Sequence, residues 1–220
     1  MLKINIKKYF IMKKIIIIGA GAMGSAFTVP CLENKNEVTL IGTHLEDELI
    51  NSIQLNKNFH PALNLELPTK LKVEKYERLK SILEGGVDII VAGVSSIGIK
   101  WFVDQITKNY KKNLPIILLT KGLAIEDNEL ITLSDKIKKL LNKKGHEEVN
   151  VSAIKGPCLA AGLANKMRTG TVIANPNIKE AQNLKKIVST EYYSTEISDD
   201  LTGIELSLIH ISEPTRRSWI

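Results

Sequence analysis

Three short stretches hold residues whose types and spacing could do chemistry. GAGAMG at 19–24 sets three glycines at G-x-G-x-x-G spacing. In a strand-to-helix turn the first, Gly19, permits the tight bend, the second, Gly21, admits a diphosphate against the backbone, and the third, Gly24, lets helix and strand approach. Anionic oxygens would then meet the free amides at the helix N-terminus. TKGL at 120–123 fixes Lys121 directly after an apolar run, where its charge enters the crevice at the strand ends; the competing reading is one more surface lysine. IKGPCLAAG at 154–162 supplies small residues and Cys158 at another strand end. No histidine is placed to activate that thiol, so Cys158 reads as a packing residue near a ligand and not a nucleophile.

The glycine spacing alone is weak, and its setting decides its meaning. Residues 15–18 are four isoleucines, a strand buried on both faces, and a helix over about 22–34 and a second strand, EVTLIG, follow. An acid that binds an adenosine ribose hydroxyl is expected at the tip of that second strand. Gly42, Thr43 and His44 offer none, and Glu46 and Asp47 read as first-turn acids of the next helix. NAD against NADP is therefore open at this stage.

Strands and helices alternate beyond that point. LEDELINSIQLNK is a helix, LKV near 72 a strand, the stretch around 76–83 a helix and VDIIVAGV a strand. Ile99, Phe102, Ile106 and Tyr110 recur at helical spacing and predict a core-facing stripe, with Trp101 beside it. Pro115 introduces the strand IILLT; TLSDKIKKLLNKK is an amphipathic helix; NVSAI and TVIA are strands, 178–188 a helix and YYSTEI a strand. This rhythm means βαβ units with right-handed crossovers, so the fold class is α/β, a Rossmann-type doubly wound, mostly parallel sheet. Pro30 falls inside the first helix and should kink it.

Composition excludes several partners. Of 30 Lys plus Arg only four are Arg, the lysines are scattered, and aromatics make up 5%, which disfavours nucleic acid despite a net charge of +6. No apolar run suits a membrane span, and the four histidines and two cysteines are too dispersed for a metal site. Reduced thiols suit a cytoplasmic location. The basic, apolar opening resembles a secretion signal, but Gly19, Gly21 and Gly24 interrupt it, each costing about 1 kcal/mol against Ala in a helix. Residues 1–11 read as an upstream extension before Met12.

Together, IIIIGAGAMGSAF, TKGL, KGPCLAAGLANKMRTGTVIA and STEISDDLTGIEL resemble, in order and spacing, the N-terminal domain of NAD(P)-dependent glycerol-3-phosphate dehydrogenase. The resemblance covers about 13–206. It implies hydride transfer between NAD or NADP and a small phosphate substrate, dihydroxyacetone phosphate, in the cytoplasm, with a homodimer as the full-length form. It implies that Ala22 and Met23 hold the pyrophosphate, that Thr43 lies by the adenosine ribose, and that Ala160 abuts the nicotinamide half. Lys121 would touch cofactor and substrate phosphate and act in catalysis, while Gly156 and Cys158 line the substrate. In the family a proton-donating lysine stands five residues after the Leu of GIEL, ahead of an all-helical substrate domain; here Ile211 holds that place, and no lysine follows Lys186. LSLIHISEPTR at 206–216 matches an in-frame translation of a sequencing-library transposase adapter. The expected organisation is thus an extension at 1–11, a dinucleotide-binding domain at 12–205 and a non-native tail at 206–220, with the helical domain missing and the chain inactive. Two other readings are a ketopantoate-reductase-like enzyme, which TKGL with GPCLA disfavours, and a non-catalytic dinucleotide-sensing module.

Overall fold

The computed structural model describes residues 12–109 and 113–211. Strand β1 (Lys14–Ile18) passes through the glycine turn into α1 (Ala22–Glu33), followed by β2 (Glu37–Ile41), α2 (Asp47–Leu55), a small hairpin of β3 (Phe59–His60) and β4 (Leu65–Glu66), and β5 (Lys72–Glu74). A 3-10 turn leads to α3 (Leu79–Glu84), then β6 (Ile89–Ala92), α4 (Ile99–Asn109) and β7 (Ile116–Leu118). A second hairpin, β8 (Leu123–Glu126) and β9 (Glu129–Thr132), precedes α5 (Leu133–Asn142) and β10 (Val151–Lys155). The series ends with α6 (Ala160–Ala164), β11 (Thr169–Ala174), α7 (Ile178–Val188), β12 (Tyr193–Ser198) and α8 (Leu201–Ile211).

Eight strands form one sheet in the order β12-β11-β10-β7-β6-β1-β2-β5. Successive side chains of a strand point to opposite faces, and β1 shows what this does in a central position. Ile15 and Ile17 enter the core that holds Phe27 of α1, while Ile16 and Ile18 enter the core that holds Phe102 of α4. All four are buried, so the isoleucine run serves both layers. The sheet is doubly wound and mostly parallel. Its antiparallel pairing is β10 with β11, because the short α6 connection returns the chain alongside β10 in the reverse direction.

The hairpin β8–β9 was not expected from the sequence. Asp127 and Asn128 both adopt positive φ, +55° and +63°, the backbone of a tight two-residue hairpin turn. Pro30 does not break α1, which continues to Glu33. The proline lies three residues from the helix end, so it forfeits the amide bond to the Ala26 carbonyl but leaves little helix beyond it to displace. The stripe of Ile99, Phe102 and Ile106 is buried as expected, whereas Tyr110 falls outside the described residues. So do the proposed 1–11 extension and 212–220; α8 itself runs through 206–211.

Close backbone approach fixes the glycine turn. Gly19 has φ +109°, and a Cβ built on it would sit 2.6 Å from the carbonyl carbon of Gly93, just after β6. A Cβ on Gly24 would fall 2.2 Å from the Gly19 carbonyl oxygen. Replacing Gly24→Ala must therefore push α1 off β1, and chemical denaturation should show a loss of about 2 to 3 kcal/mol. An unchanged denaturation midpoint would mean that this contact does not hold the helix in place.

Candidate functional site

The carboxyl ends of the central strands gather the chemistry. At the end of β1, Gly21 is the N-cap of α1, with φ −62° and no side-chain cap. A side chain there would strain no backbone, and a Cβ would meet nothing within 4 Å. Packing therefore demands glycine at 19 and 24 but not at 21. Ala22 and Met23, in the first turn of α1, are half-buried against the core, as is Ala160 at the start of α6, which packs on α1. Thr43 lies just beyond β2, on the other side of the turn, and its amide donates to Glu46 Oε2 at 2.7 Å.

The ends of β7 and β10, which pair in parallel, are laced by two lysines. Lys121 Nζ donates to the Gly156 carbonyl at 3.0 Å, and Lys155 Nζ donates to the Thr120 carbonyl. Lys121 is exposed and free to meet an anion; Lys155 is buried. Gly156 has φ +152°, and a Cβ there would come within 2.9 Å of β11 backbone, so β11 leaves no room for a side chain. Met23, Phe27, Lys121, Lys155, Gly156, Cys158, Thr171 and Tyr193 line one narrow cleft. Burial pushes the Cys158 thiol upward, which keeps it neutral at pH 7 and suits a lining role over a nucleophilic one. Among the described residues no cluster of His, Cys, Asp or Glu could hold a metal ion, and no helix is long and apolar enough to cross a membrane.

A family model described as the N-terminus of NAD-dependent glycerol-3-phosphate dehydrogenase matches residues 14–181. The chain belongs to the glycerol-3-phosphate dehydrogenase family. It is 34% identical over 191 residues to the NADP(+)-dependent glycerol-3-phosphate dehydrogenase of Archaeoglobus fulgidus, covering 87% of this chain and 55% of that protein. It is 31% identical over 199 residues to glycerol-3-phosphate dehydrogenase [NAD(P)+] of Mesoplasma florum, covering 89% and 56%. The chain thus spans about half the length of the curated relatives it matches. Among solved structures, glycerol-3-phosphate dehydrogenase from Coxiella burnetii superposes with a TM-score of 0.75 at 23% identity, over 89% of this chain and 56% of that one. A ketopantoate reductase from Ralstonia eutropha gives 0.62 at 18%, over 90% and 60%. At these identities the two structures share the fold alone.

Within this family domain, the structure brings Met23, Lys121, Gly156 and Cys158 to a single cleft. Thr43 is not in it; it stands by the glycine turn at the tip of β2. Two further residues escaped the sequence. His60, fully buried on β3, lies with Nε2 2.9 Å from the Ala20 carbonyl, while the Leu63 amide reaches its Nδ1 at 3.3 Å. The Leu63 donor makes Nδ1 the acceptor, so Nε2 carries the proton and tethers the glycine turn. Lys155 is the second. Its ammonium pairs with Glu205 of α8 at 3.5 Å, both side chains being at most 2% exposed, and Glu205 Oε2 also accepts from the Ser134 hydroxyl and amide. Burial lowers the Lys155 pKa to about 8, against the opposing pull of Glu205, and the nearby Lys121 charge lowers it further.

This pair carries two expected outcomes. Lys155→Met leaves a buried carboxylate without its cation and should cost about 3 to 5 kcal/mol in urea unfolding, while adding Glu205→Gln restores most of it. A single variant as stable as the parent would contradict the pairing. With a folded pKa below the unfolded one, the unfolded chain binds the extra proton between about pH 8 and 10.5, so stability rises with pH across that window. Relative to the double variant, the parent should gain about 2 kcal/mol from pH 7 to pH 10. A flat difference would mean that Lys155 keeps an ordinary pKa.

Proposed function

We propose that this chain is the dinucleotide-binding domain of a glycerol-3-phosphate dehydrogenase, an oxidoreductase that uses NAD or NADP. The observation that carries this is Gly21: a glycine with ordinary backbone angles and open space around its missing side chain, at the N-terminus of the twelve-residue α1. Space kept clear there suits a diphosphate lying against first-turn amides, where the helix dipole favours negative charge. The A. fulgidus and M. florum relatives carry the same activity in their names.

In this proposal Gly19, Gly21, Ala22, Met23 and Gly24 form the diphosphate cradle. Thr43 borders the adenosine ribose, and Ala160 lies by the nicotinamide half. When bound, the dinucleotide supplies the hydride for the carbonyl carbon of dihydroxyacetone phosphate; with one proton this gives sn-glycerol 3-phosphate. Lys121 is the catalytic cation. Its exposed ammonium, steered by the Gly156 carbonyl, holds cofactor and substrate phosphate and stabilises charge that develops on the substrate oxygen. Gly156 and Cys158 line the substrate and help exclude water. The reaction needs a proton donor, and Ile211 occupies the place where the family resemblance puts a lysine. We therefore infer that the 220-residue chain alone binds dinucleotide weakly and has negligible turnover, with residues 12–205 as its dinucleotide-binding domain.

Gly21→Ala tests the cradle without disturbing packing. Its unfolding free energy should stay within about 1 kcal/mol of the parent, while affinity for NADH, followed by calorimetry, falls at least about tenfold. Unchanged affinity would remove the diphosphate from this position. In parallel, measurable reduction of dihydroxyacetone phosphate by the unmodified chain would refute its inferred inactivity.

A further inference from the structure

We infer that Lys155 is a positioning residue for Lys121, setting where the exposed ammonium that meets the anion can stand; this rests on the role proposed for Lys121 above. The parallel ladder between β7 and β10 pairs Ile116 with Val151, Ile117 with Ser152 and Leu118 with Ala153, and there it stops. Lys121 lies three residues beyond that end. Side chains take over from the ladder. Lys155 Nζ donates to the Thr120 carbonyl across the gap, and Lys121 Nζ donates back to the Gly156 carbonyl at 3.0 Å.

Thr120 is the residue through which Lys155 acts. Its carbonyl accepts from Lys155 and its hydroxyl donates to the Val94 carbonyl, so the peptide that leads into Lys121 is fixed from β10 on one side and from the segment after β6 on the other. Gly122 follows with φ +120° and bends the chain at once. Lys121 therefore sits between the Thr120 clamp and a bend, and its backbone position is set by the clamp.

Lys155 is itself aimed. Its ammonium lies 3.5 Å from Glu205 Oε1 of α8, and Glu205 Oε2 accepts from the hydroxyl and the amide of Ser134 in the first turn of α5. Elements α5, α8 and β10 thus converge on one buried ammonium and direct it at Thr120. Taking such a pair out of water offsets most of its attraction, so stability alone gives little reason for it. What it secures is geometry. A cation that stabilises an anion must be held to within about 0.5 Å of its working place by a supporting shell, and an exposed lysine side chain lacks that precision unless its backbone is pinned.

The test follows binding of dihydroxyacetone phosphate to the ¹⁵N-labelled 220-residue chain by amide chemical shifts. The parent is compared with the double variant Lys155→Met, Glu205→Gln, which removes one charge of each sign and so keeps the net charge. Affinity should fall at least about fivefold while the unfolding midpoint stays near the parent's, a split that a merely structural pair would not give. The loss should vanish on a Lys121→Met background, where both forms bind equally weakly, because Lys155 acts through Lys121. Ser134→Ala, which takes one donor from Glu205, should weaken binding about twofold; this arm stands even if the double variant does not fold. Parent-level affinity in either folded variant overturns the inference and leaves Lys121 as the cation that meets the anion. So does a loss that persists undiminished without Lys121. If the parent binds no dihydroxyacetone phosphate, the role of Lys121 falls and this inference with it, while NADH titrated into the same sample reports on the dinucleotide reading separately.

Discussion

Three glycines meet where β1, α1 and β6 converge, and the rest of the structure depends on their lack of side chains. A Cβ on Gly93 would lie 3.0 Å from the Gly19 carbonyl oxygen and 3.2 Å from the Gly24 Cα, so each of the three closes on the others. This contact brings the amino end of α1 directly over the carboxyl ends of two central strands. Gly21 stands apart from that trio because nothing touches the space its side chain would fill. The glycine turn thus contains two kinds of glycine, two that packing requires, against Gly93 beyond β6, and one that leaves room.

Electrostatics organises the other half of the site. Lys121 and Lys155 cross between the ends of β7 and β10, one exposed and one buried, each tied to a carbonyl of the opposite strand. The buried ammonium is compensated by Glu205, which fastens α8 and the start of α5 to the floor below the cleft. An ion pair of this kind contributes little net stability but becomes costly if one partner is lost. Its effect is to fix where the strand ends, and hence the exposed Lys121, can sit. The tether from His60 to Ala20 and the bridge from Glu46 to Ala20 and Thr43 do the same for the first crossover.

Much of this was legible in the sequence, for reasons that differ by element. Four consecutive isoleucines can be buried on both faces only in the middle of a layered α/β sheet, so β1 and the fold class followed from local pattern. That Gly19, Gly21, Gly24 and Lys121 fall at the carboxyl ends of strands was legible because strand-end position is a one-dimensional cue. The antiparallel β11 was not, since strand direction depends on how the α6 connection folds back. The β8–β9 hairpin carried a signal in the Asp127-Asn128 turn, but its strands lie outside the main sheet and lack a buried apolar run. His60, Lys155 and Glu46 escaped for a shared reason: each acts on a partner distant in the chain, and in a lysine-rich sequence a single buried lysine looks like its neighbours. Glu46 was misleading as well as hidden, because the same letter at a helix start has an ordinary explanation.

The central claim is that the first-turn amides of α1 clasp a diphosphate. A titration of the ¹⁵N-labelled chain with NADH, followed by amide chemical shifts, tests it most directly. The account predicts that the amides of Ala22, Met23 and Gly24 move first and furthest, with Thr43 and Lys121 following. Saturable shifts confined to other parts of the sheet, with those three amides unmoved, would contradict it.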